Sequence, residues 1–465
     1  MPNDSFFQSG TPKMRLQLWP VALLAASFFA VPASAQTGAP APKAKALTAQ
    51  QPQQQPQQQQ PAFPVQSVLT PAQAPDPTYD EGTAQRIADA MLSYSAIEVR
   101  GGWPTLPSNA NLKPGVTGTD VSLLRRRLAI TEDLPANRAN GEIYDEAVAA
   151  AVRRFQARHG LEQTGVVGPK TLTALNVPVT KRLRQLAASF DRLAGMDFVF
   201  GQRYVVVNLP AAHAEAVVGD RVVRRHVAQV GRPDRPSPTL TTFITTVNLN
   251  PTWTVPLGIL KKDVIPKMRR DPSYASRLHM RVLDGAGNEV DPHSVDWNSD
   301  RAPNFTIRQD SGNWNALGSV RIDMPNPHSV YMHDTNHKEF FSADYRFQSS
   351  GCTRIENPRD LAAWVLEETP GWTRREIDAG IAKGQKIDIR VAHKIPVAWI
   401  YLTGWVTRDG GIHFRDDIYG LDEKTSRPMV ADFGRVNTAA RASGFVLQSA
   451  DPTPDPTPVS YLDSR

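Results

Sequence analysis

The chain carries one cysteine in 465 residues, so no internal disulfide can staple its fold. Every domain must be held by apolar packing, and the thiol is either a small buried hydrophobe or a working group. Cys352 sits in Ser349-Ser350-Gly351-Cys352-Thr353-Arg354. His333, in Tyr331-Met332-His333-Asp334, stands 19 residues upstream. A base, a nucleophile and a glycine-bearing turn thus fall in one short stretch, which favours the working thiol.

Hydrophobic residues make up 40% of the chain, enough for real cores, and its length predicts more than one domain. The formal net charge of +6 is small, and the basic residues are dispersed. No Lys/Arg block marks a nucleic-acid arm, so no nucleic-acid partner is expected.

Residues 1–35 read as a cleaved signal peptide. Lys13 and Arg15 form a basic start, Val21 to Val31 is apolar, and Ala33-Ser34-Ala35 is a small-residue cleavage site. Met14 is an alternative start to Met1. The apolar run falls short of the roughly 20 residues that span a bilayer. Export without a stable membrane anchor is therefore expected. Exported proteins normally pair their cysteines, so an unpaired one in an oxidising compartment points again to function.

Residues 36–78 are Pro, Gln and Ala with few large apolar side chains. Such a segment cannot bury enough surface to offset ordering entropy, and a disordered tether is expected. The tail 449–465, with its Asp-Pro-Thr-Pro repeats, reads the same way.

Residues 79–198 read as a helical scaffold. A helix is predicted over Ala84 to Ser95 and another capped by Asp120. A third carries Tyr144, Val148, Ala151, Val152 and Phe155 at helical spacing and stops at Gly160. A further short helix holds Leu172 and Leu175, and a linking helix runs from Lys181 to Leu193. Residues 199–394 then read as mostly β, with strands at 203–209, 241–247 and 328–332 and a hairpin turning at Gly219-Asp220. An irregular insertion over about 256–317, with a helix near Lys261 to Arg269, suits a lid. Residues 395–448 are expected as a β-hairpin extension. The fold class is multidomain α+β.

A thiol is a poor nucleophile until deprotonated, and its ordinary pKa is about 8.5. His333 can take the proton and hold a thiolate–imidazolium pair. Asp334, through its carboxylate or its carbonyl, can orient the ring. Gly351 permits a tight turn, so the N–H groups of Gly351 and Cys352 can line an oxyanion hole. Asn357-Pro358 reads as a helix start behind it. Arg354 suits a substrate carboxylate. Ser350 adjoins the turn, and Trp253 and Tyr331 are candidates to shape a donor groove.

The run Ala151 to Leu175 (AVRRFQARHGLEQTGVVGPKTLTAL) closely resembles the type 1 peptidoglycan-binding domain, covering about 115–177. The stretch from Ser329 to Ala362 resembles the active-site segment of the YkuD-type L,D-transpeptidases. It is most similar to large Gram-negative enzymes with a peptidoglycan-binding module and a capping subdomain. Asn250 to Pro256, Asn315-Ala316-Leu317-Gly318 and Tyr401 to Gly420 match that subgroup. Many relatives have a histidine two residues before the cysteine, where this chain has Ser350, so that residue's role is not carried over.

The resemblance implies a mostly-β catalytic domain with a capping insertion, preceded by a three-helix binding module. It implies a periplasmic cysteine acyltransferase acting on peptidoglycan stem peptides as donor and acceptor. Cys352 would attack the third residue, diaminopimelate, of a tetrapeptide stem and release the terminal D-alanine. A second stem's amine would then take the acyl group. Water as acceptor would give an L,D-carboxypeptidase, and a lipoprotein lysine would give wall anchoring. Carbapenems would acylate Cys352. No cofactor or metal is expected, because His328, His333 and His337 lack the glutamate logic of a zinc hydrolase. A non-catalytic wall-binding protein is the remaining alternative.

Overall fold

The structure is a computed structural model that describes residues 75–424. The signal peptide and the tail lie outside the described residues, as do the tether up to residue 74 and everything after 424.

Five helices come first: α1 (Thr83–Val99), α2 (Thr119–Ile130), α3 (Glu146–Arg158), α4 (Pro169–Leu175) and α5 (Val179–Ala194). Three of them, α2 to α4, close around Leu124, Leu128, Tyr144, Val152 and Phe155, all buried. Asp145 caps α3 by accepting from the Val148 N–H at 3.0 Å. Asp120 does not cap α2: the cap position is Gly118, and Asp120 lies in the first turn. This module seats on the C-terminal hairpin, where Arg158 Nη1 donates to the Ile412 carbonyl at 3.1 Å.

The strands are β1 (Arg203–Asn208), β2 (His213–Val218), β3 (Arg221–Gly231), β4 (Leu240–Leu249), β5 (Trp253–Thr254), β6 (Met280–Leu283), β7 (Glu289–Val290), β8 (Thr306–Gln309), β9 (Val320–Asp323), β10 (Met332–His333), β11 (Phe347–Ser349), β12 (Thr353–Ile355), β13 (Ile387–Ile400), β14 (Gly404–Val406) and β15 (Ile412–Phe414). Nine form one sheet in the order β11-β3-β12-β10-β9-β4-β13-β1-β2. Strand β3 pairs with β2 through its first half and with β12 through its second, so the sheet curls back on itself like a barrel.

Period-2 alternation decides what each face carries. On one face Met332, Ile322, Val247 and Ile389 stand in paired register and join the largest core. The helices α9 (Pro358–Val365) and α10 (Arg374–Ala382) supply Leu361, Ala362, Val365 and Ile377 to it. On the other face, at the β1–β13 end, Val206, Ala398 and Ile400 pack with Ile87, Leu183 and Leu186 of α1 and α5.

Between β4 and β9 the chain leaves the sheet to build the cap. Here β5, β8, β6 and β7 form a small sheet. Beside it run α6 (Leu257–Ile259), a π turn (Leu260–Val264), α7 (Ile265–Arg270) and α8 (Tyr274–Arg277). Leu260, Met268, Val282, Trp297 and Ile307 give the cap its own core.

Three local expectations change. The strand at 328–332 is reduced to Met332–His333, because Ser329 takes φ +54° and breaks the extended run. The boundary at 394 falls inside β13, a 14-residue strand whose last residues pair with β1; the run from Val397 therefore belongs to the main sheet, and the hairpin proper is β14–β15. Asn357 precedes α9 but sits left-handed at φ 50° and makes no side-chain cap.

Met332 is fully buried between Thr353 and Ile322. Met332→Ala should cost about 2–5 kcal/mol, as buried Met-to-Ala changes do. Chemical denaturation measures this, and a loss below about 1 kcal/mol would mean that β10 is not clamped into the core.

Candidate functional site

Strands β10 and β12 run parallel, with Met332 opposite Thr353 and His333 opposite Arg354. The Thr353 N–H donates to the Tyr331 carbonyl at 3.1 Å. Residues two apart share a face, so His333 and Arg354 project away from the core side that Met332 and Ile355 fill; Tyr331 and Cys352 adjoin the two strands and are partly buried against that core. The rings of Tyr331 and His333 meet edge-on at 5.6 Å. The chain thus brings together four of its expected site residues by one pairing.

The row containing His333 continues across the sheet. Gln229 on β3 is opposite Arg354, Arg321 on β9 is opposite His333, Asn248 on β4 is opposite Arg321, and Asp388 on β13 is opposite Asn248. Hydrogen bonds stitch its two ends: Arg354 to Gln229, Arg321 Nε to Asn248 at 3.0 Å, and Asn248 to Asp388 at 2.7 Å. His333 therefore stands between two arginines.

That setting governs its proton. Burial, then the charges of Arg354, Arg321 and Lys338, hold His333 well below the usual histidine range. The imidazole is neutral near pH 7. Burial also pushes the Cys352 thiol up to about 11, against the opposing pull of a Tyr331 backbone hydrogen bond, Arg354 and Arg321. Both shifts disfavour the expected thiolate–imidazolium pair in the unliganded site. Among the described residues no hydrogen bond joins the two side chains; His333 Nδ1 instead faces the Asp334 carbonyl. With Nδ1 so engaged, Nε2 is the nitrogen left to work on the open face.

Asp334 orients His333 through its backbone, not its carboxylate. The carboxylate turns away, is buried, and accepts from Ser319 N and Oγ, both at 2.8 Å, from Thr335 N at 2.8 Å and from Lys338. Gly318, at φ +57°, makes room for it: a Cβ there would come within 2.4 Å of Asp334 Cγ. A cavity of about 820 Å³ opens beyond Asp334, between Trp314, Asn336, Lys338 and Arg374. Neither His333 nor Cys352 lines it.

Gly351 takes φ +117°, which an L side chain resists. Its N–H is already used, donating to Ser349 Oγ at 3.2 Å. The Cys352 N–H has no acceptor among the described residues, so of the two expected oxyanion donors it is the free one. Ser349 Oγ donates to the Cys352 carbonyl at 2.6 Å, and Ser237 Oγ to the Gly351 carbonyl at 2.7 Å. Tyr419, past the hairpin, buttresses that loop by donating to the Gly231 carbonyl at 2.7 Å. Ser350 is exposed and accepts from Arg235 Nη1 at 3.3 Å, while Arg235 Nη2 holds Asp263 of the cap's π turn at 2.9 Å. The cap is thereby latched to the cysteine turn.

Trp253 lies half-buried on β5 and acts on the Tyr331 hydroxyl, whose pKa burial raises. His328 and His337 are exposed, His337 bonding Glu339 at 3.0 Å. Sequence reasoning missed Arg321, Gln229, Ser237 and Tyr419. For Arg321 a signal exists: Val320-Arg321-Ile322-Asp323 alternates apolar and charged, one face of a strand.

Cys352 alkylation by iodoacetamide should therefore be slow at pH 7 and keep rising beyond pH 9, as a thiol pushed up to about 11 requires. A rate that levels off by pH 8 would mean a preformed thiolate.

Comparison with known proteins follows the same division of the chain. Residues 202–377 match the family YkuD, described as the L,D-transpeptidase catalytic domain, and residues 117–175 match a "Putative peptidoglycan binding domain". A "Putative L,D-transpeptidase" of Haemophilus influenzae is 33% identical over 254 residues, 53% of this chain and 50% of that protein. The chain thus spans about half the length of that relative. An L,D-transpeptidase structure from Mycobacterium smegmatis shares 16% identity over 43% of this chain and 58% of its own, with a TM-score of 0.21. One from Stackebrandtia nassauensis shares 13% over 64% and 97%, with a TM-score of 0.25. Both superpositions are loose, and the barrel-like sheet stands on its own strand pairing.

Proposed function

We propose that this chain, which carries an L,D-transpeptidase catalytic domain of the YkuD family, is a periplasmic enzyme joining peptidoglycan stems through a Cys352 thioester. The observation that carries the reading is the parallel β10–β12 pairing, which sets His333 opposite Arg354 and brings Cys352, the residue before β12, beside Tyr331.

In this reading the neutral His333 takes the thiol proton at Nε2 as sulfur attacks the carbonyl carbon of the stem's diaminopimelate. The proton is transferred during attack, so a resting thiolate is unnecessary. The Cys352 N–H receives the developing oxyanion. The C–N bond breaks, His333 returns the proton to the leaving D-alanine amine, and a thioester remains. An amine of a second stem then attacks the thioester carbon. The C–N bond forms, the C–S bond breaks, and His333 relays the amine proton back to sulfur.

Arg354 serves a donor carboxylate. Its Nε and the neighbouring Gln229 Nε2 are buried without acceptors among the described residues, which suits an anionic oxygen. Trp253 and Tyr331 border the donor groove. The module at 117–175 keeps the enzyme on the wall. Carbapenems acylate the same sulfur, since their strained carbonyl offers it the same chemistry.

Mass spectrometry of the products from disaccharide-tetrapeptide tests this. Dimers linked through diaminopimelate are expected, and Cys352→Ser or His333→Ala should lower their rate by at least about 10³-fold. Tripeptide without dimers would make the enzyme an L,D-carboxypeptidase, and dimers still formed by Cys352→Ser would overturn the covalent route.

A further inference from the structure

Arg321 and Asp323 form an ion pair on the catalytic face, on the flank of His333 away from Arg354. Arg321 lies opposite His333 in register. Its Nη2 donates to Asp323 Oδ2 at 2.6 Å and its Nε to Asn248 Oδ1 at 3.0 Å. Its Cζ stands 5.2 Å from the centroid of the Tyr331 ring. The guanidinium is therefore fixed, yet Nη1 has no partner among the described residues. Asp323 Oδ1 accepts nothing there either. Both side chains remain partly open, at 29% and 27% exposure.

An ion pair this exposed adds little to stability. Its place is more telling. Met332 faces Ile322, so Tyr331 is flanked by Asp323 on one side and Cys352 on the other. Asp323, Arg321 and Cys352 all act on the Tyr331 hydroxyl. One cationic and one anionic edge thus stand side by side, next to the tyrosine that Cys352 also flanks. Arg354 and Gln229 already offer their free donors on the opposite flank.

We infer that Arg321 and Asp323 are the acceptor subsite, binding an amino-acid zwitterion: the diaminopimelate end that carries both the attacking amine and a carboxylate. This rests on the transpeptidase reading and adds which residues choose the acceptor. Arg321 Nη1 takes the carboxylate, and Asp323 Oδ1 holds the ammonium until it yields one proton to bulk water. The free amine then attacks the thioester carbon, sulfur leaves, and the remaining excess proton passes through His333 to the thiol.

The test forms the acyl-enzyme from tetrapeptide donor and offers two acceptor stems, one with that carboxylate free and one with it amidated. The readout is dimer formed against tripeptide hydrolysed, a partition that does not depend on how fast Cys352 is acylated. Wild type should favour the free carboxylate about tenfold, the scale of one charge-assisted hydrogen bond. Arg321→Gln should erase the preference, Arg321→Lys should keep most of it, and Asp323→Asn should shift both acceptors toward hydrolysis. An Arg321→Gln enzyme that still discriminates, or a wild type that never did, overturns the proposal. Should Arg321→Gln fail to fold, Asp323→Asn decides: an unchanged partition there overturns it. Intact mass separates the two levels. No acyl-enzyme at all defeats the transpeptidase reading and this proposal with it, whereas an acyl-enzyme indifferent to its acceptor defeats this proposal alone.

Discussion

Parallel pairing of β10 with β12 is the constraint on which the site depends. Two register contacts, Met332 with Thr353 and His333 with Arg354, send Met332 and Ile355 into the core, leave His333 and Arg354 on the opposite face, and set Tyr331 and Cys352 beside one another at the ends of the two strands. A slip of one residue would exchange the two sets. The surrounding structure guards that register: β9 and β3 flank the pair, Ser237 and Ser349 pin the cysteine turn, and Asp334 is anchored in the loop that Gly318 opens for it.

The same register fixes the electrostatics. His333 lies between Arg321 and Arg354 because those residues occupy its row on the two neighbouring strands. Their charges and burial keep the imidazole neutral, while burial keeps the thiol protonated. Such a site rests uncharged at its reacting atoms and surrounds them with fixed cations. It is therefore prepared for the negative charge that develops on attack, which is where stabilisation accelerates a reaction.

Much of this was legible in the sequence because it is local. The Gly-Cys turn, the His-Asp dipeptide, the Gly219-Asp220 hairpin and the helical periodicity of Tyr144 to Phe155 each declare themselves within a few residues. What depends on distant partners was not. Within the His-Asp dipeptide the carboxylate and the carbonyl of Asp334 were equal candidates to orient His333, and the carbonyl does so because Ser319, Thr335 and Lys338 claim the carboxylate. Gly351 offers its N–H to Ser349 and so leaves the oxyanion position to Cys352. Arg321 acquires meaning only when β9 lies beside β10, and Tyr419 only when the C-terminal segment folds back under the 231–237 loop. Residues 397–400 looked like part of a hairpin because nothing nearby reveals that β1 pairs with them.

The central claim is that the sulfur on this face becomes an acyl carrier. The most direct measurement is intact mass followed by peptide mapping of the protein quenched in acid during turnover of a tetrapeptide stem. The account requires an adduct equal to the stem minus its terminal D-alanine, found on the peptide containing Cys352 and released by hydroxylamine as a thioester should be. Product formation with no adduct on that peptide, or an adduct at another residue, would contradict it.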